Sequence, residues 1–233
     1  VYIASPNKLH IEQARVFLEH GKHVICEKPL SAHAKDVAEL QALAKERGLI
    51  YLEAIMFMHL PQRKLLEEAL KKIGDISVAK IDFCQRSSKY DAYLAGSLPN
   101  IFNPALETGA LMDLGVYCVY PALYLFGKPQ NTLAVSHLLA SGADGSDIVA
   151  MQYPDKLVNL VFSKVGQAGA NTDFQGTNGT VSVESISKLA NISIRYNNGT
   201  VEEICGEEEK FKLMGYEAVS YTHLRAHETA ANL

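Results

Sequence analysis

Short apolar runs alternating with helix-length amphipathic stretches constrain the first third of this chain more than any other feature. Val1-Tyr2-Ile3-Ala4 reads as a buried strand. Ser5-Pro6-Asn7 then turns the chain into a helix from about Leu9 to His20, with Gly21 as its stop. His23 to Glu27 is a second short strand, and Ala34 to Arg47 a second helix ended by Gly48. Leu49 to Ala54 makes a third strand and Pro61 to Lys72 a third helix. Strand, helix and strand this closely spaced close as parallel βαβ units. Region 1–74 is therefore predicted to be the back half of a doubly wound α/β domain, a partial Rossmann arrangement. No G-x-G-x-x-G occurs in the sequence. The expectation is that the half carrying the phosphate loop is missing, and that the chain by itself binds dinucleotide weakly and exposes sheet edge.

From Ile76 the pattern changes. Segments near 78–85, 132–140, 147–153, 157–165, 180–184, 192–197 and 200–205 are strand-like, and Asn178-Gly179 and Asn198-Gly199 are tight-turn signals. One helix, about Gly109 to Phe126, interrupts them. Region 75–219 is predicted to be an α+β domain with a large, mostly antiparallel sheet and a helix on one face. From Ser220 the sequence breaks pattern and looks like translated sequencing adaptor, so 220–233 is set aside as a non-native tail.

A net charge of -4 gives no basic footprint for nucleic acid, and 48% hydrophobic with 21% charged residues is ordinary for a globular protein. No stretch is predicted to cross a membrane, because Pro121 and several tyrosines break the apolar run Val116 to Phe126. Cys26, Cys84, Cys118 and Cys205 form no C-x-x-C pair and read as reduced thiols of a cytoplasmic protein. His20, His23, His33, His59 and His137 lack metal spacing, so no metal site is expected.

Three residues carry candidate chemistry. Lys28 lies just past the carboxyl end of a predicted parallel strand, where open α/β sheets bind ligands. Its ammonium could polarise a carbonyl; it could also be a surface lysine in a loop. Asp113 and Tyr117 are spaced i,i+4 and share a helical face. A phenol with a pKa of about 10 becomes a usable acid/base when a cation such as Lys28 favours the phenolate. The alternative is a core aromatic alongside Tyr120 and Tyr124. Asp113 could orient Tyr117, hold a substrate hydroxyl or pair with Lys28, and could equally be an acid interacting with the helix dipole.

These motifs, in order, resemble the Gfo/Idh/MocA family of NAD(P)-dependent oxidoreductases. The resemblance rests on Ser5-Pro6-Asn7 with His10, on Glu27-Lys28-Pro29, on Glu53-Ala54, and on Gly109-Ala-Leu-Met-Asp113-Leu-Gly115-Val-Tyr117, with Gly176-Thr-Asn-Gly179-Thr as a further match. Tyrosine at 117, in Asp-x-Gly-x-Tyr-Cys, is similar to the branch containing dimeric dihydrodiol dehydrogenase and glucose–fructose oxidoreductase. That branch tends to place an arginine after Glu53-Ala54, and this chain does not. The resemblance implies hydride transfer between the nicotinamide of NAD or NADP and a carbinol or carbonyl carbon of a sugar, polyol or diol-like substrate. Lys28, Tyr117 and Asp113 would be catalytic. Ser5, Pro6, Asn7, His10, Glu27, Lys28 and Glu53 would line or buttress the cofactor. A homodimer through the open face of the C-terminal sheet is expected. A non-catalytic ligand-binding or assembly protein on the same scaffold is the rival reading.

Overall fold

The computed structural model describes residues 1–206; the end of the second predicted region and the adaptor-like tail 220–233 lie outside the described residues. Among these residues the chain divides into two compact units, Val1–His59 with Ala105–Glu107, and Leu60–Pro104 with 108–206.

In the first unit, β1 (Tyr2–Ile3), β2 (Val24–Glu27) and β3 (Tyr51–Ala54) form a parallel sheet in the order β1-β2-β3. The register sets Ile3 beside Cys26 and Cys26 beside Glu53. Helices α1 (His10–Glu19) and α2 (Ala34–Glu46) pack against each other, with Arg15 paired to Glu39. Their apolar faces meet alternate strand residues in a core of Ile3, Ala14, Leu18, Val24, Cys26, Leu30, Leu40 and Ala44. Each large aliphatic side chain buried there contributes about 1.5–3 kcal/mol. Elements and order agree with the sequence reading of this region.

The second unit is built on an eight-stranded sheet in the order β11-β10-β9-β8-β4-β7-β6-β5. Its strands are β4 (Ile76–Cys84), β5 (Asn131–Leu138), β6 (Asp144–Gln152), β7 (Leu157–Ser163), β8 (Thr172–Gly176), β9 (Gly179–Ser185), β10 (Ala190–Tyr196) and β11 (Val201–Cys205). Every neighbouring pair is antiparallel except β4 and β7 at the centre. Two-residue alternation puts Ala79, Ile81, Val149, Met151, Val158, Leu160, Phe162, Phe174, Val181, Val183, Ile192 and Ile194 on one buried face. Strand β8 and the short helix α4 (Tyr90–Leu94) are elements the sequence reading missed. Helix α3 (Gln62–Lys72), which the sequence groups with the first region, packs on β10 and β11, with Lys72 bonded to Glu202.

The single helix expected over 109–126 is two things. Leu111–Gly115 is a π-helical turn, and α5 (Val116–Phe126) continues from it with Pro121 inside. Gly115 explains the register: a Cβ there would lie 2.8 Å from the Phe162 ring, so only glycine lets the turn seat this closely on β7. The whole stretch Pro104–Phe126 is 23 residues long and apolar enough, by length and composition, to cross a membrane, which corrects the expectation that no stretch would be. Here Leu114, Cys118 and Ala122 are buried and α5 packs on β4 and β7, the placement of a core helix.

Candidate active site

The first group of site residues stands at the carboxyl ends of β1, β2 and β3. Glu27 is the last residue of β2, and the Lys28–Pro29 peptide that follows it is cis. The Glu27 carboxylate accepts hydrogen bonds from the Tyr2 hydroxyl and, at 3.2 Å, from the Lys28 amide. Glu53, next to last in β3, accepts the Leu30 amide at 3.0 Å. Burial raises the Glu53 carboxyl above its ordinary value, opposed by the Leu30 hydrogen bond and the Lys28 charge. Lys28 is half-buried, and its charge acts on this partly desolvated carboxyl.

The loop after β1 is built by equally specific bonds. Ser5 Oγ donates to Gln13 Oε1 at 2.8 Å, and Asn7 Nδ2 donates to the Glu107 carbonyl at 2.8 Å. Pro6 is exposed. His10 is 1% exposed, with Nδ1 2.8 Å from the Pro29 carbonyl and Nε2 2.8 Å from the Ser5 carbonyl. One imidazole therefore ties the Ser5-Pro6-Asn7 loop to the Glu27-Lys28-Pro29 loop. That places His10 as a staple between two loops, with both ring nitrogens spent on backbone.

The second group lies in the second unit. Asp113 is the middle residue of the π-helical turn, a distortion found often at functional sites. Its carboxylate accepts a short hydrogen bond from Lys164 Nζ, just past the end of β7. Lys164 is 6% exposed, so its charge is compensated by Asp113 inside the protein. Tyr117 follows in the first turn of α5, half-buried, with the Phe83 ring edge-on at 5.5 Å. The structure thus gives Asp113 a lysine partner that sequence reasoning did not name. The signal was present: alternation in β7 turns Val158, Leu160 and Phe162 inward, which puts residue 164 on the inward side as well.

Elsewhere, the four cysteines are free thiols. Burial, then the charges of Glu53 and Glu27, pushes the Cys26 thiol up to about 12. Among the described residues no three His, Cys, Asp or Glu side chains converge as metal ligands.

Residues 1–55 match the GFO_IDH_MocA oxidoreductase family, NAD-binding Rossmann fold, and residues 63–182 match the GFO/IDH/MocA C-terminal domain. The chain is 42% identical over 224 residues to the scyllo-inositol 2-dehydrogenase (NADP(+)) IolU of Bacillus subtilis, covering 96% of this chain and 68% of that protein. It is 31% identical over 192 residues to the trans-1,2-dihydrobenzene-1,2-diol dehydrogenase of Mus musculus, covering 81% of this chain and 55% of that one. In fold it is similar to KijD10, a 3-ketoreductase from Actinomadura kijaniata solved with NADP and TDP-benzene, with a TM-score of 0.84 at 24% identity over 97% of this chain and 70% of that one. With both domain models matched in order and a relative above 40% identity, the chain belongs to the Gfo/Idh/MocA family of NAD(P)-dependent oxidoreductases.

Proposed function

We propose that Lys28, Tyr117 and Asp113 are the catalytic residues of a dehydrogenase acting on a CH–OH group of a cyclic polyol, sugar or diol. The observation that carries this reading is the Asp113 carboxylate, fixed by buried Lys164 in a π-helical turn, four residues ahead of Tyr117. A carboxylate so held orients a neighbouring hydroxyl without the cost of ordering itself. Tyr117 exchanges the proton of the substrate oxygen, and Lys28 donates a hydrogen bond to that oxygen.

The residues at the carboxyl ends of β1–β3 fit the nicotinamide and ribose end of NAD or NADP. Ser5, Asn7, Glu27 and Lys28 supply hydroxyl, carboxamide, carboxylate and ammonium groups at the strand ends where open α/β sheets hold nucleotides. When bound, the nicotinamide accepts or delivers the hydride. Glu27 serves a ribose hydroxyl, Glu53 buttresses the Lys28 loop, and His10 keeps the two loops in register. The resemblance to the inositol and dihydrodiol dehydrogenases supports a ring carbinol as substrate.

A homodimer through the open face of the second unit's sheet belongs to the same reading. Leu133, Val135, Ile148 and Leu157 lie on that face at 69%, 66%, 54% and 58% exposure, an apolar patch of the kind partners cover. The four free thiols support a reducing, cytoplasmic setting. The test is fluorescence titration of NADH and NADPH against the whole gene product, followed by hydride transfer with scyllo-inositol and a trans-dihydrodiol. Nucleotide binding with turnover of either substrate upholds the reading; binding of neither nucleotide ends it.

A further inference from the structure

Asp144 and Asp147 lie in strand β6 and were singled out by nothing in the sequence, yet Asp144 meets the start of the turn that carries Asp113. Asp144 Oδ2 accepts the Leu111 amide at 2.6 Å, at the first residue of the π-helical turn. Its Oδ1 occupies the place where residue 109 would carry a Cβ, 1.7 Å from that ideal position, and Gly109 has φ +151°. Glycine at 109 is thus required both by backbone conformation and by the carboxylate pressed against it.

Asp147 is 5% exposed and faces Ser136 across the β5–β6 ladder and Phe162 across the β6–β7 ladder. Its Oδ2 is buried without a hydrogen-bond partner. Burial raises its carboxyl to about 6; Ser136 opposes the rise and the neighbouring Asp144 adds to it. The charged groups on the elements packed there are Asp144 on the same strand and the Asp113–Lys164 pair; His137 on β5 lies on the opposite sheet face, opposite Ser146.

We propose that Asp144, which lies beside the buried carboxyl of Asp147, is a positioning residue that sets the π-helical turn and thereby the direction of the Asp113 carboxylate. The assignment rests on the catalytic reading of Asp113 above. Neither aspartate touches substrate; both act through the Leu111 amide and the turn that begins there.

The test uses Asp144→Ala, Asp144→Asn, Asp147→Ala and Asp147→Asn in the whole gene product, reading kcat, KM and hydrogen exchange at the Leu111 amide. Losing the cap is expected to lower kcat about tenfold with KM within about twofold, and to speed Leu111 exchange in step. Asp144→Asn keeps an acceptor and Asp147→Asn keeps a polar side chain of the same shape, so each is expected to recover most of what its alanine variant loses. The proposal is overturned if Asp144→Ala leaves both kcat and Leu111 protection unchanged, or if Asp147→Asn is as damaging as Asp147→Ala. If the wild-type protein transfers no hydride, the catalytic reading fails, and Leu111 exchange alone still decides whether the cap exists.

Discussion

The two units each hold a lysine beside a carboxylate, and the two pairs are built to opposite ends. In the second unit Lys164 is 6% exposed and bonds directly to Asp113. Both charges are committed, so the pair fixes a geometry and moves no proton of its own. In the first unit Lys28 is half-buried, and the carboxylates around it are held by other donors: Glu27 by the Tyr2 hydroxyl and the Lys28 backbone amide, Glu53 by the Leu30 amide. Burial alone does not identify a working residue. What separates the two lysines is that the carboxylates beside Lys28 also accept hydrogen bonds from the Tyr2 hydroxyl and from backbone amides.

The strongest way to break this contrast is to remove the groups proposed to meet substrate. Lys28→Met and Tyr117→Phe are each expected to lower turnover about 10²–10⁴-fold, with unfolding free energy within about 0.5 kcal/mol of wild type. Steady-state kinetics beside urea denaturation check both. Next comes Lys164→Ala, which leaves Asp113 partly buried without its cation. Stability is expected to fall by about 3 kcal/mol, at the low end for a broken buried pair because the Asp113 side chain is 30% exposed. Gly115→Ala should cost about 1–3 kcal/mol, since its methyl enters space held by the Phe162 ring.

The smallest effect concerns pH. Asp147 moves from an ordinary value of 3.8 to about 6 in the folded protein, driven first by burial. The folded state therefore binds this proton more tightly than the unfolded chain does. Its contribution is complete below about pH 4 and is lost as pH rises through about 6. The stability of wild type relative to Asp147→Asn, which cannot titrate there, should fall between pH 4.5 and 7.5. A flat difference would remove the proton from Asp147.

Much of this was legible before any coordinates. In the first unit, three apolar strands and two amphipathic helices announce themselves by periodicity, because each element buries one face against the others. The second unit was harder at three places. Thr172–Gly176 has a single large apolar residue, Phe174, and joins the sheet because its neighbours β4 and β9 require a partner. Tyr90–Leu94 is held by contacts of Tyr90 and Tyr93 with Phe102 rather than by an apolar stripe. The π-helical turn reads as ordinary helix in sequence, and only the approach of Gly115 to Phe162 reveals it.

The site divides the same way. Lys28, Asp113 and Tyr117 were named from strand ends and helical spacing, which are local. Lys164 and Asp144 act across 51 and 33 residues of sequence, and such partners are set by sheet register, which no local pattern records. Asp147 sits inward by alternation with Val149 and Met151, a signal that an aspartate in a strand makes easy to pass over.

The most direct test of the account is a paired measurement on Lys28→Met and Lys164→Met: hydride transfer from scyllo-inositol to NADP and the midpoint of thermal unfolding, on the same preparations. The account predicts that Lys28→Met lowers turnover by about 10²-fold or more at an unchanged midpoint, while Lys164→Met lowers the midpoint and reduces turnover less. Full turnover in Lys28→Met, or an unchanged midpoint in Lys164→Met, would contradict it.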